Sequence, residues 1–255
     1  MEFIGQRHIM SQLSFILPEV YKNNLPANFL LRGKSGFGKT KLAILICNYL
    51  SGLNFYYSTG DRFVFNQKFR VHFIDEAHKI ETPESLYPLM DSGKYVFVFA
   101  MNENGDLPEA FVNRCENLIF TDYSDEELFE IVREASTMEL SEDKLKYIIT
   151  SCGGNPREIL HLVRKLEMLW RNTGVDFGSL ENFKSILEQI FGIEDGLDVL
   201  ARKYIEILSK LGGTAGLNTI KSLMHTDTNT LRYFVEPILL YQNKIKISNR
   251  GRSLV

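Results

Sequence analysis

Eight consecutive residues, Gly33-Lys34-Ser35-Gly36-Phe37-Gly38-Lys39-Thr40, put three glycines, a lysine and a hydroxyl into the spacing G-x-x-x-x-G-K-T. Glycine accepts the torsions that let successive backbone N–H groups curl around an anion, and a helix starting at Lys39 adds its positive end. The lysine supplies a mobile charge for β- and γ-phosphates, and the threonine hydroxyl can ligate Mg²⁺. The run Phe73-Ile74-Asp75-Glu76-Ala77-His78 carries an apolar stretch into two carboxylates, the first of them 35 residues after Thr40. At the C-terminal edge of a sheet, beside the glycine loop, Asp75 would hold Mg²⁺ and Glu76 would orient and polarise an attacking water. These spacings predict an ATP and Mg²⁺ site built from Gly33, Ser35, Gly36, Phe37, Gly38, Lys39, Thr40 and Lys41, with the metal at Thr40 and Asp75. A chance glycine-rich turn would lack the apolar run before the loop and the helix after it.

Three further polar residues recur in a telling order. Asn102 stands two residues beyond the apolar stretch 95–100, Arg114 follows twelve residues later, and Arg157 comes directly after Gly153-Gly154-Asn155-Pro156. Singly, Asn102 and Arg157 read equally as helix caps or surface ion pairs, and Arg114 as an ordinary surface residue. A kinase or small GTPase would also own a phosphate loop, so only the joint order of acid pair, polar residue and two arginines discriminates.

The elements that must position these residues follow from hydrophobic pattern. Short apolar runs at 28–31, 55–58, 71–74, 95–100 and 118–120 alternate with helical stretches, which predicts a parallel sheet covered on both faces. After Thr121 only helices are expected. Ser124 with Glu127 forms a capping box, Ser141 opens a second helix, Asn155-Pro156 a third, and a fourth spans 180–191. Residues 192–196 read as a linker, and the remainder as helix, helix, helix and β wing, the winged version of helix-turn-helix. The predicted division is therefore 1–120, 121–191 and 192–255.

Charge is unevenly spread. The chain of 255 residues has a net charge of −3, yet the segment from Val199 onward holds nine Lys or Arg against three acids. That leaves nine net negative charges on the first 198 residues and a surplus of six positive ones on the tail. The asymmetry suits a nucleic-acid-binding end on an acidic body, although charge alone fits a solvated basic face equally well. Lys244, Lys246, Arg250 and Arg252 are the expected DNA contacts, with Gly251 letting the wing turn. The three cysteines are dispersed and lack metal-ligand spacing, no apolar run approaches membrane-spanning length, and no signal-peptide pattern is present. A cytoplasmic protein without a membrane partner is expected.

The order of polar landmarks is shared with AAA+ ATPases, and MEFIGQ, GKSGFGKT, FIDEAH, NRC and GGNPREIL resemble the RuvB-type Holliday-junction branch-migration motors. The tail carries the resemblance on through Gly196-Leu197-Asp198, Lys210-Leu211-Gly212-Gly213, Glu236-Pro237 and Arg250-Gly251-Arg252. It implies an α/β P-loop AAA+ core with a parallel sheet, then an all-α lid, then a C-terminal winged-helix domain. It also implies Ile4 near the adenine, Tyr123 packed on the base, Asn102 as first sensor, and Pro156-Arg157 at the lid, with Arg157 as second sensor. Arg114 would be an arginine finger given to the ATP of the next subunit, a role worth ~10³–10⁵ in rate, which requires a ring or spiral, expected to be hexameric.

The expected work is ATP-driven translocation on, or remodelling of, duplex or branched DNA. A loader- or initiator-like switch that assembles on DNA and recruits a partner is the alternative, and a vestigial interaction module is disfavoured because every catalytic position is filled. Only 26 residues separate Asp75 from Asn102. That leaves no room for the β-hairpin with which RuvB-type motors dock RuvA, so a RuvA-type partner is not expected through that surface.

Overall fold

The computed structural model describes residues 2–255, which divide into two units, one up to Asp122 and one from Tyr123. In the first unit, helix α1 (Arg7–Lys22) leads to strand β1 (Ala27–Gly33), α2 (Lys39–Ser51) and β2 (Phe55–Thr59). Strand β3 (Val71–Asp75), the short α3 (Tyr87–Met90), β4 (Val96–Asn102), α4 (Glu109–Val112) and β5 (Glu116–Ile119) complete it.

All five strands are parallel, in the order β2-β3-β4-β1-β5. Central strands buried on both faces must be apolar throughout, and Phe29–Leu31 in β1 and Val96–Ala100 in β4 are wholly enclosed. Strand β4 lies between β1 and β3, so Asn102 is in register with Gly33. Thr59 and Asp75 likewise end their strands side by side.

One residue breaks the apolar reading of β3. His72 is fully buried, stacked between the rings of Phe65 and Phe97 at 5.1 Å from each, with Nε2 3.1 Å from the Asn66 carbonyl oxygen. Burial pushes its pKa down, which keeps the ring neutral. The loop 63–69 thus serves as an aromatic cover over the sheet. Between β3 and β4 there are two 3-10 turns (Ala77–Lys79 and Pro83–Leu86) and α3, and no strand among the described residues.

The second unit opens with α5 (Asp125–Ala135), α6 (Glu142–Ser151), α7 (Pro156–Thr173) and α8 (Leu180–Phe191). The Ser124 hydroxyl accepts from the Glu127 N–H at 3.3 Å while the Ser124 N–H donates to the Glu127 carboxylate at 3.0 Å, closing the capping box. Helix α9 (Val199–Lys210), β6 (Thr214–Ala215), α10 (Leu217–Met224) and α11 (Thr228–Thr230) follow. The last runs through a π turn (Leu231–Val235) into α12 (Glu236–Tyr241), and β7 (Ile245–Ser248) and β8 (Gly251–Leu254) form the wing. The order of this three-stranded sheet is β6-β8-β7.

The expected linker is a hydrogen-bonded turn rather than a tether. Glu194 and Leu197 exchange backbone bonds at 3.0 and 2.9 Å, Tyr147 accepts from the Gly196 N–H at 2.9 Å, and Gln242 donates to the Thr150 and Gly196 carbonyls. A Cβ on Gly154 would lie 2.7 Å from the Tyr241 ring. Lid and winged helix are therefore parts of one unit.

Candidate nucleotide site and candidate nucleic-acid interface

The phosphate loop joins β1 to α2, with Gly36 and Gly38 at φ 87° and 88°. Those left-handed torsions strain any residue bearing a Cβ. Gly33 is constrained differently, since an added Cβ would lie 2.6 Å from the Phe120 side chain. Phe37 is buried and Lys41 exposed, so Phe37 can offer a ligand its backbone more readily than its ring.

Lys39 is 8% exposed, and its ammonium donates to the Gly33 and Lys34 carbonyls at 2.8 and 2.7 Å and to Asn102 Oδ1 at 3.2 Å. The Asn102 contact follows from the interposed β4, which brings the end of that strand beside the loop. The Thr40 hydroxyl donates to Asp75 Oδ2 at 2.8 Å, and Asp75 Oδ1 accepts from the Glu76 N–H at 2.9 Å. Hydroxyl and carboxylate form a hard-oxygen pair of the kind Mg²⁺ takes.

Glu76 has a left-handed backbone at φ 51°, and its carboxylate accepts from Lys79 at 2.5 Å. The same contact raises the lysine pKa. Close packing fixes this turn on two sides. A Cβ on Gly60 would meet the Glu76 carbonyl oxygen at 2.5 Å, and one on Gly105 would meet His78 at 2.8 Å. Sequence reasoning missed Lys79, Gly60 and Gly105; the i, i+3 spacing of Glu76 and Lys79 is a local signal for Lys79 alone, and the two glycines leave none because their contacts are tertiary.

The structure therefore brings Gly33–Thr40, Asp75, Glu76 and Asn102 to one edge of the sheet. Ile4 is half-buried nearby in sequence to Gln6, whose amide exchanges bonds with Thr121 at 2.7 and 2.9 Å and ties the chain start to the end of β5. Arg114 lies at the other side of β5's start, held by Asp91. Tyr123, Pro156 and Arg157 belong to the second unit: Tyr123 and Pro156 are buried, and Arg157 is exposed in the first turn of α7, its N–H bonded to Asn155 Oδ1 at 3.0 Å. Cys47 and Cys152 are raised by burial and Cys115 is pushed up to about 12, so none is a ready nucleophile.

In the wing, Lys244, Lys246 and Arg250 are exposed. Arg252, expected to contact DNA, is instead committed inside the unit. Its Nε donates to Glu236 Oε1 at 2.8 Å and its Nη2 to Oε2 at 3.3 Å, while the Tyr204 hydroxyl donates to Oε1 at 2.8 Å. Arg250 lies in the turn ahead of β8, whereas Arg252 lies within β8 on the same side as Leu254, which packs against the core formed by α9 and α12. Gly251 does not form the turn, which is Asn249–Arg250; it lets β8 approach β6, where a Cβ would come within 2.5 Å of the Ala215 carbonyl oxygen. The helix after the α10–α11 turn also presents Asn229, Arg232 and Tyr233 to solvent, positions not singled out from the sequence.

A family model described as the RuvB C-terminal winged helix domain matches residues 194–255. The "Holliday junction branch migration complex subunit RuvB" of Mycoplasma genitalium is 27% identical over 98% of this chain and 92% of its own length. The protein of that name from Thermobifida fusca is 28% identical over 98% and 82%. Two solved variants of Thermotoga maritima RuvB superpose with a TM-score of 0.83 at 25% and 26% identity, each covering 100% of this chain and 94% and 93% of theirs. Along its whole length the chain is similar to RuvB proteins, and its residues 194–255 match the RuvB C-terminal winged helix domain.

Proposed function

We propose that this protein is an ATP-hydrolysing motor that moves branched DNA, the activity for which its RuvB relatives are named. The observation that carries the reading is the hydrogen-bonded set Lys39–Asn102 and Thr40–Asp75 at one sheet edge, in a chain that matches RuvB from end to end.

Lys39 binds the β- and γ-phosphates, exchanging loop carbonyls for phosphate oxygens. Asn102 orients that ammonium and the terminal phosphate. Thr40 and Asp75 would hold Mg²⁺, whose charge would offset that of the phosphates. Glu76 polarises the attacking water, and its pairing with Lys79 sets where the carboxylate rests before that step. Arg114 acts on the ATP of a neighbouring copy within a ring or spiral, and Arg157 is the second sensor. Exposed Lys244, Lys246 and Arg250 contact DNA phosphates, joined by Asn229, Arg232 and Tyr233. The functional division is 1–120 for the ATPase core, 121–191 for the lid and 192–255 for DNA. No helix among the described residues is long and apolar enough to cross a membrane, and the reading places the protein in the cytoplasm.

The test is dissociation of a synthetic four-way junction with ATP. The wild-type chain should convert it to duplex arms and hydrolyse ATP faster with DNA, and Glu76→Gln should do neither. Hydrolysis indifferent to DNA, with the junction untouched, would overturn the motor reading.

A further inference from the structure

Arg114 is held from three sides. Its Nε donates to both Asp91 carboxylate oxygens at 3.1 Å, its Nη1 donates to the Ala110 carbonyl at 2.7 Å, and its guanidinium carbon lies 4.3 Å from the centre of the Tyr87 ring. Among the described residues no hydrogen bond uses Nη2. The clamp is anchored in the core: Tyr87 packs on Phe111 at 6.3 Å, and Phe111 on Phe99 of β4 at 4.8 Å. The plane of the guanidinium is thereby referred to the strand that ends at Asn102.

A surface arginine ordinarily samples many rotamers, and one exposed ion pair, worth ~0–1 kcal/mol, does not stop it. An ion pair, a backbone acceptor and an aromatic stack together leave one direction open. Asp91 is 55% exposed, so water screens its charge and the guanidinium still presents positive charge at the open edge.

We propose that Asp91 and Tyr87 are positioning residues that aim the Nη2 edge of Arg114 at the triphosphate bound by a second copy of this chain. The proposal deepens, and rests on, the reading of Arg114 as a finger. The plainer role for Asp91 is a staple between α3 and α4, and the two differ in where the defect lies. A positioning residue for the finger spoils only the neighbour's site that receives the finger and leaves its own subunit's nucleotide site intact, whereas a staple damages the fold and site of its own subunit.

The test measures ATP hydrolysis by full-length chains, singly and in mixed assemblies verified by mass. Asp91→Ala should lower kcat about tenfold to a hundredfold, as misplaced catalytic groups do, with KM for ATP unchanged. Tyr87→Ala should behave alike, and Tyr87→Phe, which keeps the stack, should restore the rate. Asp91→Ala subunits mixed with Lys39→Ala subunits should regain activity at interfaces where each supplies what the other lacks. Mixed with Arg114→Ala subunits they should not, because both lack a working finger. If Arg114→Ala is rescued by Lys39→Ala but Asp91→Ala is not, the finger reading stands and the positioning proposal is overturned. If Arg114→Ala is not rescued either, the finger reading itself falls and takes the proposal with it.

Discussion

Replacing Arg252 by alanine separates two roles that a wing arginine can have. Glu236 is 3% exposed and the Arg252 side chain 14%. Removing one partner of such a buried pair strands the other charge and costs about 3–5 kcal/mol. The Tyr204 hydroxyl still donates to Glu236, which places the expectation near the lower end, ~3 kcal/mol. At ~1.4 kcal/mol per decade this is a hundredfold rise in the opening equilibrium around the pair. Hydrogen exchange read by mass spectrometry on amides of α9 and β8 should therefore lose about two decades of protection. Arg252→Lys should not recover it, since an ammonium cannot reproduce the two-pronged contact through Nε and Nη2. Arg250→Ala, at an exposed position, should leave protection unchanged and instead lower the salt slope of DNA binding by ~1, as one lost phosphate contact does. The reasoning fails if Arg252→Ala keeps full protection and lowers the salt slope as Arg250→Ala does.

Lys39→Ala should abolish ATP binding, while Glu76→Gln should bind ATP and lose hydrolysis; equilibrium binding of a fluorescent ATP analogue beside a phosphate-release assay separates the two, and normal turnover in Glu76→Gln removes Glu76 from its role. Burial depresses the His72 pKa, so the unfolded chain takes up the proton first and stability is lost as pH falls through the unfolded value of about 6.5. His72→Phe should flatten that dependence in urea titrations at pH 7 and pH 5, and an unchanged slope would locate the acid sensitivity elsewhere. With no hairpin between β3 and β4, where an added one needs roughly ten residues, calorimetric titration with RuvA from the same cell should detect no micromolar binding through the ATPase core. Binding that survives removal of the winged helix would show that another surface has replaced the hairpin.

Legibility in the sequence followed locality. The phosphate loop and acid pair are contiguous strings whose proposed chemistry depends on residue type and spacing, so the reading of Gly33–Thr40 and Asp75-Glu76 needed no tertiary information. Helix starts were readable for the same reason: Ser124 bonds within its own first turn, and so does Asn155. Long-range pairings leave no such trace. His72 interrupted an apparently apolar strand because its partners arrive from the loop 63–69 and from β4.

The sequence by itself determined a nucleotide loop, two carboxylates, the alternation of strands and helices, and a basic tail. Tertiary structure alone decided that β4 enters between β1 and β3, which is what sets Asn102 against Lys39. It alone turned Arg252 inward to Glu236 while leaving Arg250 outside, and it alone closed Asp91 and Tyr87 around Arg114. The physical reason is common to all three. A side chain's chemistry is written in its residue type, but the partner that restrains it is chosen by strand order and packing, which join residues distant along the chain.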